Sequence, residues 1–187
     1  GTVGLVAQAL GRKDYNEITL VFIRNLILAL FFGVTLIFLR EPIIFLIEYF
    51  FTTTQETQNL INKYISIRLL SAPAELIIYV LTGLYLGMQR MYVTSIMISI
   101  FCFSNAILSS IFVIHFDLDI LGVATGTVIA AYGTVIIFLS LSYFQLKKKL
   151  QIVLTYKKIF NTKKLFNLFN INFDIFIRTV LLTFSFL

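Results

Sequence analysis

Residues that carry enzyme chemistry are scarce in this sequence. It contains one cysteine and one histidine, and only 13% of its residues are charged. Cys102 has no second thiol for a disulfide and no neighbouring ligand for a metal. His115 follows an apolar run, and the sequence offers it no nucleophile to pair with and no phosphate-binding loop. These absences argue against an enzyme.

The low charge also excludes a soluble domain. Hydrophobic residues make up 59% of the chain, phenylalanine alone contributes 20 residues, and the mean hydropathy is +0.94. A soluble domain cannot hide this much apolar surface. Several apolar runs approach or exceed the ~18 to 20 residues that cross a ~30 Å hydrocarbon layer. The sequence therefore predicts an all-α fold, a polytopic transmembrane helix bundle.

Polar breaks divide the chain into predicted helices. After the end of a first helix at 1–10, the predicted spans are 18–39, 64–88, 92–114 and 120–144. Arg40-Glu41-Pro42 is predicted to end the first of these spans, because proline cannot continue a helix. The run 43–51 is too short to span, so it is predicted to lie at the interface or to extend the preceding helix. Residues 52–63 are the polar connection.

Basic residues predict the orientation in the membrane. The connection after the last span contains Lys147, Lys148, Lys149, Lys157, Lys158, Lys163 and Lys164. Lysines that flank spans lie mostly on the cytoplasmic side. Alternation from this anchor places Arg12, Lys13 and Arg90 inside, and it places Arg40 and Lys63 outside. The connection would attract phosphates, but it carries no nucleic-acid recognition module, so we interpret it as a topology signal that also attracts anionic lipid.

Polar side chains reach mid-membrane depth on three predicted spans. A charge at this depth is kept mainly where it faces a partner or a water-filled cavity, which makes Glu75 a functional-site hypothesis. A rise of ~1.5 Å per residue puts Glu75, Asn105 and Thr127 about 10 to 15 Å from the outer surface. Ser109 lies one helical turn from Asn105. These residues are predicted to form a polar network with a functional role, and hydrogen bonding between helices without a further role is the alternative for the uncharged ones.

One face of the third predicted helix carries a polar stripe at helical spacing. Its members are Arg68, Ser71, Glu75, Tyr79 and Thr82. A polar stripe on an apolar helix should face protein or water and not lipid, so we interpret it as a cavity wall. Pro73 is predicted to kink this helix and to act as a hinge.

Two further features concern the neighbouring helices. Arg24 and Asn25 lie about two turns into their span, so Arg24 either extends to the interface or lines the cavity together with Asn25. The pairs Gly83 with Gly87 and Gly122 with Gly126 are small-xxx-small patterns, which allow helix backbones to approach closely. These patterns favour a packed bundle over isolated membrane anchors.

Short motifs along the chain resemble the multidrug and toxic compound extrusion (MATE) family. Residues 4–12, Gly-Leu-Val-Ala-Gln-Ala-Leu-Gly-Arg, resemble the end of its second helix. Residues 68–74, Arg-Leu-Leu-Ser-Ala-Pro-Ala, resemble the fourth helix of its DNA-damage-inducible F branch. Asn105 with Leu108, and then Gly122, Ala124 and residues 127–130 before Tyr132, are similar to its fifth and sixth helices. Residues 173–179 are similar to the entry to its seventh.

This resemblance implies a twelve-helix antiporter made of two six-helix lobes. Residues 1–146 would be a partial N-terminal lobe, from the end of helix two to helix six. Residues 147–173 would be a basic cytoplasmic linker, and 174–187 the start of the second lobe. The acidic residue of the family's first helix would lie before Gly1. The resemblance implies alternating access driven by H+ or Na+, with no cofactor.

The implied function is multidrug efflux across a bacterial plasma membrane. The substrates would be drug-like, often cationic or amphipathic compounds, and the other partners would be membrane lipid and the remainder of the same transporter chain, with no nucleic acid. The asparagine and threonine of the family's cation network map onto Asn105 and Thr127. Ser109 stands where the family usually has a second acid, and Glu75 has no family-wide counterpart.

Two alternatives remain open from the sequence. One is a flippase of lipid-linked precursors from the same superfamily, whose cavity would need more cationic lining than Arg24 and Arg68 provide. The other is a membrane scaffold that does not transport, or a truncated remnant of a transporter.

Overall fold

The structure, a computed structural model, describes residues 2–50, 54–149 and 162–185. Throughout these ranges the chain folds into α-helices and forms no strand. The helices are α1 (Thr2–Gly11), α2 (Tyr15–Phe38), α3 (Arg40–Phe50), α4 (Gln55–Arg68), α5 (Ala72–Gly87), α6 (Met91–Ile114), α7 (Asp119–Lys149) and α8 (Thr162–Ser185). A short 3-10 turn, Leu69–Ser71, joins α4 to α5. The predicted all-α fold is confirmed.

Helices long and apolar enough to cross a membrane account for most of the described chain. They are Tyr15–Phe38, Gln55–Gly87, Met91–Ile114 and Asp119–Leu146. The second of these combines α4, the 3-10 turn and α5 into one broken helix. These helices correspond to the four predicted spans. Their ends differ from the prediction by a few residues, except at the start of the broken helix. The agreement is expected because an apolar run marks the part of a helix that lies in lipid.

The broken helix begins earlier than predicted. Its first residue is Gln55, so most of the polar connection predicted at 52–63 is helix. The sequence prediction was wrong there because it followed hydropathy. A helix satisfies its own backbone groups and continues beyond the apolar layer wherever its side chains permit. Residues 51–53 lie outside the described part of the chain.

Pro42 also has a different role from the one predicted. α2 ends at Phe38 and α3 begins at Arg40. Pro42 therefore lies in the first turn of α3, where the missing N–H has no helical partner to lose. The short apolar run is thus a separate helix, which contacts α4 through a 2.8 Å hydrogen bond from Asn62 Nδ2 to Glu48 Oε1.

The predicted linker is partly helical. α7 continues through Lys149, and α8 begins at Thr162. Residues 150–161, which include Lys157 and Lys158, lie outside the described residues. α8 therefore contains both the end of the predicted linker and most of the predicted start of the second lobe.

The buried core lies between α1, α2, α5, α6 and α7, and α6 packs along α7. The side chains of this core are apolar, and the largest include Ile18, Phe22, Leu81, Leu84, Tyr85, Met97 and Phe138. In lipid, tight packing of such side chains and of the backbones next to them takes the place of a water-driven collapse. Small residues at the crossings are therefore needed.

Glycines on α5 form the groove that receives α1. A Cβ atom added at Gly83 would lie 2.7 Å from Thr2 Cβ, and one at Gly87 would lie 2.6 Å from Val6 Cβ. Real Cβ atoms do not approach this closely, so only glycine fits at both positions. The small-xxx-small pattern predicted at these positions is confirmed as a packing surface.

The second glycine pair forms the contact between α7 and α6. A Cβ atom added at Gly122 would lie 3.0 Å from the backbone of Phe112, and one at Gly126 would lie 2.7 Å from Ser109 N. The backbones of the two helices are thus nearly in contact at Gly126. This pattern too is confirmed.

Hydroxyl groups in the spans find most of their partners within the protein, although the buried Thr94 Oγ1 has none among the described residues. Many of them donate to a carbonyl of their own helix one turn earlier, including those of Thr19, Thr35, Ser95, Ser110, Thr125, Thr134 and Ser140. Hydrogen bonds between helices are fewer. Tyr85 Oη and Ser142 Oγ are 2.9 Å apart, and Arg90 Nη1 donates to Gln145 Oε1 at 2.6 Å. These two bonds join the end of α5 and the turn that follows it to α7.

We expect Gly126→Ala to destabilise the bundle. Its methyl group would overlap the backbone of Ser109 and force α6 away, at a cost of about 1 to 3 kcal/mol. The matched control is Gly133→Ala on the same helix, where no atom lies within 4 Å of the added Cβ. Thermal unfolding of the purified full-length protein should show a lower Tm for Gly126→Ala and an unchanged or higher Tm for Gly133→Ala. Equal shifts would contradict the packing described here.

Candidate functional site

The broken helix creates the first part of the candidate site. In the 3-10 turn the Ala72 N–H donates to the carbonyl of Leu69, and Pro73 supplies no N–H to continue the pattern. The carbonyl of Arg68 accepts a hydrogen bond from Ser71 Oγ at 2.7 Å. The sequence therefore produces a break whose backbone groups are served by a side chain, as the membrane interior requires.

An ion pair crosses this break. Arg68 Nη1 donates to Glu75 Oε1 and to Ser71 Oγ. Ser71 Oγ lies 2.9 Å from Glu75 Oε1, so its single hydrogen is shared between that carboxylate and the carbonyl of Arg68. The Arg68 and Glu75 side chains are 35% and 25% exposed. We call Arg68, Ser71 and Glu75 the break cluster.

The predicted polar stripe is only partly assembled. Its first three residues form the break cluster because positions seven apart lie on the same helical face. Tyr79 is 69% exposed on the outside of α5, and Thr82 is half-buried. The structure brings neither of them into the break cluster. Their predicted role as cavity lining stays a prediction.

Neighbouring helices hold the break on two sides. α2 passes so close that a Cβ atom added at Gly33 would overlap the Cα of Pro73. On the other side, Tyr132 Oη of α7 donates to the carbonyl oxygen of Leu70 at 3.0 Å. From the sequence, Tyr132 is named only at the end of the stretch that resembles the sixth helix, and it has no predicted role. The sequence feature that could have identified it is its phenolic hydroxyl, because a buried or membrane-embedded tyrosine hydroxyl needs a hydrogen-bond partner.

A second polar cluster joins α6 to α7. Asn105 Oδ1 accepts a hydrogen bond from Ser109 Oγ at 2.9 Å and lies 3.2 Å from Thr127 Oγ1. Thr127 Oγ1 also lies 2.8 Å from the carbonyl of Val123. A hydroxyl has one hydrogen, so Thr127 donates to only one of these acceptors at a time. We call Asn105, Ser109 and Thr127 the amide cluster.

The amide cluster is rich in acceptors and contains no charge. Its oxygen atoms come from two helices that approach closely at Gly126. Neutral oxygen atoms of this kind are ligands for hard cations. Among the described residues, no group of three or more histidine, cysteine, aspartate or glutamate side chains is placed to hold a metal ion.

The structure gives two clusters where the sequence suggested one level of polar groups. Asn105, Ser109 and Thr127 meet as predicted, but within the described residues no hydrogen bond joins them to Glu75. α7 contributes to both sites, with Thr127 in the amide cluster and Tyr132 against the break. α7 is therefore the helix that the two clusters share.

Arg24 and Asn25 lie in the packed interior of the bundle. Arg24 is 2% exposed, and its Nη1 atom lies 3.6 Å from Glu17 Oε1. Its side chain is thus directed toward the start of α2, the direction that extension to the cytoplasmic interface would require. Asn25 Nδ2 donates to the carbonyl of Val21 at 2.8 Å. These contacts stabilise α2, and lining of an open cavity stays a prediction for both residues.

Comparison with known proteins adds relatives in sequence. The MatE family model matches residues 1–113 of the 187-residue chain. DNA damage-inducible protein F of Escherichia coli (strain K12) is 34% identical over 136 residues, which cover 73% of this chain and 30% of that protein. The chain thus spans less than a third of the length of this curated relative.

Solved structures add relatives in fold. An outward-facing conformation of a multidrug resistance MATE family transporter of the MOP superfamily matches with a TM-score of 0.76 and 20% identity, over 89% of this chain and 36% of that chain. An inward-facing conformation of such a transporter matches with a TM-score of 0.70 and 22% identity, over 85% of this chain and 34% of that chain. The family model covers more than half of the chain and the helical fold agrees with it, so the chain belongs to the MatE family of membrane transporters.

Proposed function

We propose that the protein acts in secondary active efflux, exporting drug-like cationic or amphipathic compounds in exchange for H+ or Na+. The observation that carries this proposal is the carboxylate of Glu75, which Arg68 and Ser71 keep inside a membrane-spanning helix beside a break. A charge at this depth is costly, and proteins retain it mainly for ion or substrate pathways. Membership of the MatE family supports the same class of function.

The transport cycle follows from the charge on Glu75. A proton that reaches this carboxylate removes its negative charge, and Arg68 then loses the group that compensates it. The break cluster is stabilised in one protonation state more than in the other, so the packing around the break shifts with proton binding. In alternating access, such a shift exposes the substrate site first to one side and then to the other.

The amide cluster offers a second place for the coupling ion. Asn105 Oδ1 and Thr127 Oγ1 are neutral oxygen atoms from two helices, and they would hold Na+ or a hydrated proton by coordination. Ser109 contributes a hydroxyl and no charge. The carboxylate for coupling would then come from the break cluster, through Glu75.

The setting of this function is a bacterial plasma membrane. Lipid surrounds the spans, and the remainder of a longer transporter chain would complete the substrate path, because the relative found in Escherichia coli is about three times as long as the matched part. The proposed transport cycle requires no cofactor beyond the coupling ion and no nucleic acid.

Charge balance favours efflux of cations over flipping of lipid-linked precursors. Such precursors carry phosphates and need a positively charged cavity. Arg68 is paired with Glu75, and Arg24 lies near Glu17. Because each arginine has a carboxylate beside it, neither supplies uncompensated positive charge.

We expect Thr127→Val to weaken coupling, since valine has the shape of threonine without its hydroxyl. Loss of one hydrogen bond worth about 1.4 kcal/mol would lower the apparent affinity for the coupling ion about tenfold. The measurement is efflux of a cationic dye from vesicles that contain the full-length protein under a pH or Na+ gradient. The control is Thr125→Val, whose hydroxyl bonds only to its own helix. If both variants match the wild type, the amide cluster has no coupling role.

We expect Glu75→Gln to remove the pH dependence of efflux. Glutamine resembles the protonated acid, so it lacks the charge whose neutralisation drives the cycle. In the wild type, efflux should fall as the external pH rises, because the inward H+ gradient that drives exchange becomes smaller; in the variant it should be low and flat. Glu41→Gln, at an exposed position on α3, is the control. Unchanged efflux with an unchanged pH profile would remove Glu75 from coupling.

A further inference from the structure

The contact between Tyr132 and Leu70 occurs where the broken helix lacks a donor. In a 3-10 turn each carbonyl accepts from the N–H three residues later. For Leu70 that residue is Pro73, which has no N–H. The Tyr132 hydroxyl of α7 supplies a donor to this carbonyl at 3.0 Å. A group from another helix therefore completes the break.

The same helix carries a residue of the amide cluster. Thr127 precedes Tyr132 by five positions on α7, and helix α7 is continuous between them. A change at Asn105 and Thr127 that moves α7 relative to α6 also moves the Tyr132 hydroxyl. Leu70 lies between Arg68 and Ser71, so a pull on its carbonyl changes the distance that their side chains span to Glu75.

The opposite side of the break has no room to yield. Gly33 of α2 is in such close contact with Pro73 that even a methyl group would overlap it. The close contact between Gly33 and Pro73 limits movement of the break toward α2, and the Tyr132 hydrogen bond joins its other side to α7. A displacement of α7 away from α2 would therefore act on the break through this hydrogen bond.

We infer that Tyr132 is a positioning residue that couples the amide cluster to the Arg68–Glu75 pair through the carbonyl of Leu70. This inference rests on the proposed transport function, and it names a connection between the two clusters. The Tyr132 hydroxyl donates to the carbonyl of Leu70, and among the described residues no hydrogen bond joins it to Glu75. It acts by setting the geometry of the break.

Tyr132→Phe tests this role in the full-length protein. Phenylalanine keeps the ring and removes the hydroxyl, so the pH at half-maximal efflux should shift by about one unit, the tenfold change expected for one hydrogen bond. Tyr49→Phe, on the exposed surface of α3, should leave the profile unchanged. The double variant Tyr132→Phe with Glu75→Gln should show the flat profile of Glu75→Gln alone. A further loss of efflux in the double variant would indicate a merely structural role and overturn the inference.

A second measurement does not depend on transport. In a Cys102→Ser background, Leu70→Cys places a single thiol in the break, and its rate of reaction with a membrane-permeant maleimide reports how open the break is. Tyr132→Phe should raise this rate severalfold, and an unchanged rate overturns the inference. If the wild type shows no coupled efflux, the proposed function fails, and the labelling rate alone decides whether Tyr132 holds the break.

Discussion

The need to compensate a carboxylate inside a membrane-spanning helix governs the structure around it. Lipid supplies no hydrogen bonds, so the negative charge of Glu75 requires a partner from the protein. Arg68 provides that partner from two turns away on the same helix, and Ser71 stands between them. Helical periodicity thus brings the two side chains together across the break between α4 and α5. Both side chains are also partly exposed, so the charge of Glu75 is compensated while its carboxylate stays accessible.

The break next to this pair depends on its neighbours in turn. Pro73 removes a backbone donor, and the 3-10 turn leaves a carbonyl that Tyr132 of α7 serves. Gly33 allows α2 to press against the proline. Each contact requires its residue type. Gly33 must lack a side chain because Pro73 lies against it, and Tyr132 needs its hydroxyl to reach the carbonyl of Leu70. The broken helix is therefore fixed from both sides while its charged face stays accessible.

Much of this arrangement could be predicted from the sequence because a membrane span must be both apolar and helical. Apolar runs locate the spans, and spacing alone groups Arg68, Ser71 and Glu75 on one face. The two glycine pairs predict close crossings, which the structure confirms. Glu75, Asn105 and Thr127 could be expected at one depth, and of these Asn105 and Thr127 do meet, together with Ser109.

What could not be predicted depends on contacts between distant segments or on helix outside the apolar layer. α4 is polar enough that hydropathy assigns it to a connection, although it is helical from Gln55. The partner of Tyr132 depends on how α7 is rotated about its axis, which a single helix does not specify. The separation of the break cluster from the amide cluster has the same origin, because equal depth does not imply a shared interface.

The most direct test of the central claim is a double-mutant cycle on Arg68 and Glu75. Thermal unfolding of the purified full-length protein would be compared for Arg68→Ala, Glu75→Ala, the double variant and the wild type. If Arg68 compensates Glu75, each single change leaves one uncompensated charge, and the double change destabilises by less than the sum, with a coupling energy of about 0.5 to 3 kcal/mol. Strictly additive effects would show that the two charges do not stabilise one another, and they would contradict the account.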